Sequence, residues 1–250
     1  MEEFDKSREV QDMSRRAFLA TSLGLASLSM LPMRSANAAV TPQKTPKLAP
    51  LIRSVDTNKK MVAFTFDDGP WPKFTKAIMN HFEDFDLEGQ ATFFQIGNNI
   101  KQYRSIAEQV AARGYDIGNH SMTHQYNPYT IASEIEPTQN LINGLGVETN
   151  LFRSPGLTEG YVIQKKLGRL GMVNVFTDYD VRDWKAPRYS TKKVARRANK
   201  SLHPGSIVLL HDGGDHQNTV KAVPYMLENA LNKGYQVVQL SELLSSGGPR

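Results

Sequence analysis

Met61-Val-Ala-Phe-Thr-Phe66 runs directly into Asp67-Asp68-Gly69-Pro70, and a segment of helical periodicity, Lys73 to Phe85, follows. An apolar, β-favouring run bounded by Gly-Pro reads as a buried strand ending in a turn. The same unit recurs downstream. Strands are expected at 91–96, 115–118, 150–153, 172–177, 206–210 and 235–240, with helices near 99–112, 131–144, 159–169, 191–202 and 219–232. Several of these helices stop at a glycine (Gly114, Gly171, Gly234), a residue common at helix C-termini. Seven strands alternating with helices predict a parallel α/β fold, either an open doubly wound sheet or a barrel. The polar residues decide between them. Asp67-Asp68, His120, Arg153, Asp183 and His211 each follow a different strand. A barrel gathers such residues at its C-terminal face, whereas an open sheet would spread them along a line. The expectation is one domain, a distorted (β/α)7 barrel.

The chain has 250 residues, 40% of them hydrophobic, enough for one sizeable core. Lys and Arg number 30 against 25 Asp and Glu, a net +5. Residues 1–38 carry five of each sign, so the excess belongs to the remainder. It is too small to mark a nucleic-acid binder, and the basic run Lys192 to Lys200 reads as a solvated helix face; an anionic glycan would suit it better. There is no cysteine, which excludes disulfides and thiolate ligands, so any metal must be held by His, Asp or Glu.

Ser14-Arg15-Arg16-Ala17-Phe18-Leu19 opens a weakly apolar stretch that ends near Leu31, and Ala36-Asn37-Ala38 supplies small residues ahead of a cleavage site. Residues 1–38 therefore read as a twin-arginine export signal, which implies the twin-arginine machinery as a partner and a periplasmic or extracellular product. The apolar stretch is shorter than a bilayer-spanning helix, so no stable membrane span is expected after cleavage. An ordinary secretory signal and an uncleaved anchor are the alternatives. Residues 39–58, with Pro42, Pro46 and Pro50, read as an extended linker, leaving 59–246 as the domain. Nothing in the sequence fixes the oligomeric state.

Two adjacent carboxylates at the end of a buried strand repel each other unless a cation holds one and a positive or hydrogen-bonding group holds the other. Taken alone, Asp67-Asp68-Gly69-Pro70 favours a turn in which both acids are solvated. His120-Ser-Met-Thr-His124 supplies two imidazoles that lie on one side if the segment turns helically. Together with one carboxylate they make a three-ligand divalent site that keeps a position open for water, as metal-assisted hydrolysis requires. His81 and His203 read as surface residues. Asp215 and His216, after Gly213-Gly214, read first as a solvated loop and second as the rim of a cleft.

The order Asp-Asp, His-x-x-x-His, Arg-x-Pro, Asp-x-x-Asp-Trp, Leu-x-His resembles that of the polysaccharide deacetylase family (the NodB-homology domain, carbohydrate esterase family 4). The stretches Ala91 to Gly97, Gly114 to His120 and Ile207 to Gly213 are similar to the family as well, so the likeness runs from about Lys59 to Leu244. It implies a TIM-barrel-like NodB fold and a metal-dependent hydrolase that removes N-acetyl groups from N-acetylglucosamine-type sugars of a chitin-like polymer, poly-N-acetylglucosamine or peptidoglycan. Asp68, His120 and His124 would bind a divalent ion, zinc before Co2+, Ni2+ or Mn2+. Asp67 would be the general base toward the attacking water, held ionised by Arg153. His211 would be the general acid, oriented and charged by Asp183. Trp184 and Leu209 would wall the slot for the acetyl methyl. Amide hydrolysis needs an activated water, a stabilised oxyanion and a proton donor, and each has a candidate.

The chain departs from the family pattern after Arg153. Ser154 stands where a proline is usual, and Gly156-Leu157-Thr158 replaces an aromatic residue followed by glycine. Pro155 has no N–H, so Gly156 is the expected oxyanion donor. Lys185 and Arg188 remain without a role. A small-molecule C–N amidase or an acetyl-ester hydrolase on the same fold is the first alternative, and a non-catalytic glycan-binding domain the second.

Overall fold

The computed structural model describes residues 47–185 and 187–250. The export signal expected over residues 1–38 and the first part of the expected linker, 39–46, lie outside the described residues. The elements in chain order are β1 (Leu51–Ile52), β2 (Val55–Asp56), β3 (Met61–Gly69), α1 (Phe74–Asp84), β4 (Thr92–Gln95), α2 (Gly97–Gln102), α3 (Arg104–Ala112), β5 (Asp116–Asn119), α4 (Pro128–Asn143), β6 (Leu151–Phe152), α5 (Tyr161–Leu170), β7 (Val173–Val175), α6 (Thr191–Ser201), β8 (Ser206–His211), α7 (Gln217–Asn232), β9 (Gln236–Val237), α8 (Leu240–Ser245) and β10 (Gly248–Pro249).

All seven expected strands form, β3 to β9; six of them, with the unexpected β1, make a parallel sheet in the order β1-β7-β6-β5-β4-β3-β8. It curls into a distorted barrel whose ladder is interrupted between its end strands, β1 and β8. Two single-residue bridges, Asp180 with Leu209 and Ser54 with Ser206, span that side. The seventh strand, β9, does not stand between β8 and β3; it pairs only with Met61–Val62 at the foot of β3, and β8 lies directly against β3. The expected linker also needs correction from residue 47 onward. Leu51–Ile52 pairs with Asn174–Val175, and β2 pairs with β10 at the far C-terminus, so the folded body extends beyond 59–246 at both ends. Pro46 and Pro50 suggested an exposed tether, but the apolar Leu51-Ile52 and Val55 between the prolines and Lys59 find partners in the sheet and core.

The period-2 alternation of strands sorts β3 into two faces. Val62, Phe64 and Phe66 turn outward to the helical layer, where Phe66 stacks on Phe93 and meets Phe82 edge-on. Met61 and Ala63 join the smaller core inside the barrel with Phe94, Val175 and Ile207. Thr65 and Asp67 continue that inward column toward the C-terminal face. Strand β8 repeats the pattern, with Ile207 inside, Val208 and Leu210 outside, and His211 arriving at the same end as Asp67, its register partner. Helix α1 covers the outer face with Phe74, Ile78, Met79 and Phe82, a spacing that places all four on one stripe.

The single helix expected over 99–112 is two, because Tyr103 leaves helical geometry (φ −121°, ψ 44°) and packs its ring edge-on against Trp71. Helix α4 starts three residues earlier than expected. Asn127 caps it by accepting from the N–H groups of Tyr129 and Thr130, and Pro128 takes the first helical position. Among the described residues no helix is long and apolar enough to cross a membrane.

Candidate active site

Asp67 and Asp68 are neighbours on one strand, so alternation would send them to opposite faces. Asp67 follows the rule and points into the barrel mouth, 3% exposed. Asp68 escapes it: the β3–β4 register shifts between Asp67 and Gly69, and Asp68 takes φ 73°. Such an irregularity re-aims a side chain at a strand end, and here both carboxylates reach one cavity. Asn99 fixes the loop by donating from Nδ2 to the Asp68 carbonyl at 2.7 Å.

Asp68 Oδ1 lies 3.3 Å from His120 Nε2 and 3.1 Å from His124 Nε2. The expected helical turn between the histidines does not form. A loop with positive φ at Ser121 (62°) and His124 (57°) brings the rings to 5.1 Å instead. His120 Nδ1 donates to the Arg153 carbonyl at 2.7 Å; a carbonyl only accepts, so Nδ1 carries the hydrogen and Nε2 of the neutral ring is bare. Asp68 Oδ1 is buried with no hydrogen-bond partner. A bare imidazole nitrogen facing an orphaned carboxylate oxygen is unfavourable without a cation between them. The three ligand atoms lie within 4.8 Å of one another, and a nitrogen, nitrogen and oxygen donor set of this kind fits a divalent metal.

Behind Asp67 sits Arg153, fully buried. Its Nη1 donates to Asp67 Oδ1 at 2.6 Å and to Thr65 Oγ1 at 2.8 Å, and Nε donates to the Val175 carbonyl at 3.0 Å. The guanidinium lies 4.1 Å from the centre of the Phe94 ring. Burial lowers its pKa against the opposing pull of Asp67, yet an arginine at this site stays charged. On the other side, Asp183 is fully buried and accepts from His211 Nδ1 (2.8 Å), His211 N (2.9 Å), Thr219 Oγ1 (2.8 Å) and Trp184 N (3.0 Å). Burial disfavours a charged His211, but Asp183 reverses the balance and pushes its pKa up to about 10. The cavity thus holds a buried Asp67 paired with Arg153 and a His211 that carries its proton at neutral pH.

The cavity encloses about 450 Å³. Asp67, Asp68, His120, His124 and His211 line it, as do Gly156, Trp184 and Leu209, while Arg153 and Asp183 stand behind as supports. Leu209 is a buried wall, but Trp184 is 52% exposed and forms the mouth. Gly156 sits in a tight turn at φ 58°. Sequence reasoning passed over Tyr126, whose ring packs edge-on against His124 at 5.4 Å and lines the cavity. It also placed His216 first in a solvated loop, whereas the ring lines the cavity and stacks on His211.

Asp212 was missed entirely. Alternation along β8 turns it outward, under the Gly69 turn, where Thr75 Oγ1 donates to Oδ2 at 2.5 Å and Oδ1 has no partner. Burial, reinforced by Asp68 and Asp67, pushes its pKa up to about 8. The sign is fixed by linkage: between pH 4 and 8 the folded protein holds a proton on Asp212 that the unfolded chain releases, so stability falls as pH rises. His211 extends the same slope to about pH 10, because its folded value exceeds the ordinary imidazole value. The Tm of chelator-treated protein is therefore expected to decline from pH 5 to 10. Asp212→Asn should flatten the part below pH 8; an unchanged slope in that variant would remove Asp212 from the account.

Comparison with known proteins places these observations. The family model for polysaccharide deacetylases matches residues 54–175. A peptidoglycan-N-acetylglucosamine deacetylase of Bacillus cereus is 34% identical over 202 residues, covering 76% of this chain and 91% of its own. A chitooligosaccharide deacetylase of Azorhizobium caulinodans is 30% identical, covering 74% and 95%. Among solved structures, the Bc1960 peptidoglycan N-acetylglucosamine deacetylase superposes with a TM-score of 0.73 at 28% identity, covering 81% and 96%. Wild-type BA3943, a CE4 family pseudoenzyme from Bacillus anthracis, superposes at 0.72 and 26%, covering 80% and 71%. With the barrel, the Asp67-Asp68 pair at its mouth and an alignment at 34% identity over 91% of a relative all in agreement, this chain belongs to the polysaccharide deacetylase family.

Proposed function

We propose that the enzyme hydrolyses the acetamide of N-acetylglucosamine units in a glycan, releasing acetate and leaving a free amine. One observation carries the proposal: an open Asp68, His120, His124 ligand set shares its cavity with Asp67 and a protonated His211. A related fold includes a pseudoenzyme, so the fold alone supplies no activity; the retained residues do. Asp68, His120 and His124 would hold the divalent ion, zinc by donor preference. When bound, the ion supplies Lewis acidity toward the water and the carbonyl oxygen.

The remaining chemistry belongs to side chains. Asp67 takes the proton of the attacking water, and its Oδ1 bond to Arg153 fixes the direction of its other oxygen. Gly156 lines the cavity, and its N–H is assigned to the developing oxyanion. His211 gives its proton to the departing nitrogen, which would otherwise leave as an unstable anion, and Asp183 keeps that proton on the ring until then. Leu209 and Trp184 exclude water around the acetyl methyl.

The supporting pKa shift gives a pH test. Activity should fall as pH rises through the His211 pKa, and a bound dication would lower that value below 10. Asp183→Asn removes the negative charge that raises it, so the alkaline limb of kcat/KM should move to lower pH by at least about one unit. A limb that stays in place would show that another group donates the proton. Acetate release from N-acetylglucosamine oligomers and from purified peptidoglycan tests the substrate class, and turnover of neither, with a small amide or ester cleaved instead, would refute the glycan assignment. Export through the twin-arginine route belongs to the same proposal, supported by Arg15-Arg16 and the weakly apolar stretch after them; a lysine pair at both positions should keep the protein in the cytoplasmic fraction.

A further inference from the structure

His216 has no part in the chemistry above, yet the loop that carries it is built around the site. Gly213 packs so tightly on Asp68 that a Cβ there would lie 2.3 Å from the Asp68 carbonyl oxygen and 2.5 Å from its Cβ. Gly214 then takes φ 66°, a left-handed conformation glycine adopts without strain. These two residues fold the chain back so that His216, the residue before α7, returns over His211. The rings stack at 5.3 Å and 17°. His216 Nδ1 donates to the Gly213 carbonyl, which closes the turn. The carbonyl only accepts, so the hydrogen of the neutral ring sits on Nδ1 and Nε2 is left as a lone-pair acceptor. That half-buried ring lines the reaction cavity beside the proton donor.

An acceptor placed there by two glycines, a hydrogen bond and a ring stack lies beside His211, the group assigned to protonate the departing nitrogen. On the proposed substrate that group is a pyranose carrying hydroxyl donors, and a simple acetyl ester offers none. We propose that His216 Nε2 accepts a hydrogen bond from a ring hydroxyl of the sugar that bears the acetamide, and that it thereby selects glycans over small acetyl compounds. The assignment rests on the glycan reading of the site. A site built to pair with a substrate hydroxyl discriminates against partners that lack it, because the polar group that a bound substrate takes out of water is then left unpaired.

The test compares wild type with His216→Phe, which keeps a stacking ring and removes the acceptor, and with His216→Gln, which restores a polar group. Each metal-loaded protein is assayed on N-acetylglucosamine oligomers and on 4-nitrophenyl acetate. His216→Phe should lower the ratio of glycan to ester kcat/KM by roughly 10- to 100-fold, mainly through KM, and His216→Gln should recover part of it. Equal losses on both substrates, or a shifted alkaline limb, would mean the ring acts through His211 and would overturn the assignment. So would an unchanged ratio. Wild-type protein that cleaves the ester and no glycan would overturn the glycan reading first, and this assignment with it.

Discussion

Asp67→Asn is expected to lower kcat by about 10²–10⁴-fold while zinc still binds. Asparagine keeps the size of Asp67 and can still accept from Arg153 Nη1 at the position now 2.6 Å away, but its amide cannot take a proton. The neighbouring Asp68→Asn should behave differently. Asp68 is the residue that approaches both imidazoles, so its variant should lose metal affinity first and activity as a consequence. Calorimetric zinc titration of both variants beside steady-state rates separates the roles. Equal zinc affinity in the two, or full activity in Asp67→Asn, would reverse the division of labour between the adjacent acids.

Arg153→Met should be the most destabilising single change at the site. The guanidinium is fully buried and satisfies a buried carboxylate and a threonine hydroxyl on β3 and a backbone carbonyl on β7. Methionine fills much of the volume but leaves Asp67 buried without a counter-charge, at a cost of about 3–5 kcal/mol. For a domain of this length that corresponds to a Tm drop on the order of 10 °C. The double variant Arg153→Met with Asp67→Leu removes both charges and should recover much of the stability without recovering activity. A double variant no more stable than Arg153→Met would mean that the strand-end contacts, and not the ion pair, carry the effect.

The barrel was legible because its strands announce themselves in the composition. Val62, Phe64 and Phe66 are buried on one face and Ala63 and Thr65 on the other, so β3 reads as a continuous apolar run. The polar residues that follow each strand then locate the C-terminal face. What the sequence hid depends on backbone geometry at particular points. The two-residue strand β1 is too short to carry a periodic signal, and the prolines around it resemble a tether. The break at Tyr103 is a single residue whose ring finds Trp71 32 positions away. Asp68 reaches the cavity through a register shift, and His124 through a positive φ, uncommon outside glycine. Motif order could place both at the site without revealing how they get there.

The residues missed, or placed at the site only as a second reading, share one cause. Tyr126, Asp212 and His216 each become meaningful only through a partner distant in sequence or a turn with unusual dihedrals. Asp212 stands beside a residue already assigned, yet alternation sends it to the other face and buries it against Thr75. The Gly213-Gly214 pair was the available signal for His216, since two consecutive glycines mark a backbone that passes close to something. Asn127-Pro128 likewise marked the start of α4, and with it the loop that carries Tyr126.

Zinc-dependent acetate release is the most direct measurement of the central claim. Chelated protein would be titrated with zinc in the presence of N-acetylglucosamine oligomers, and acetate and new free amine counted together. The account predicts no release without metal, full release at one zinc per chain, acetate and amine in equal amounts, and a rate lowered by about 10²–10⁴-fold in Asp67→Asn. Release that survives chelation, or one zinc bound per chain with neither product formed from any acetylated glycan, would contradict it.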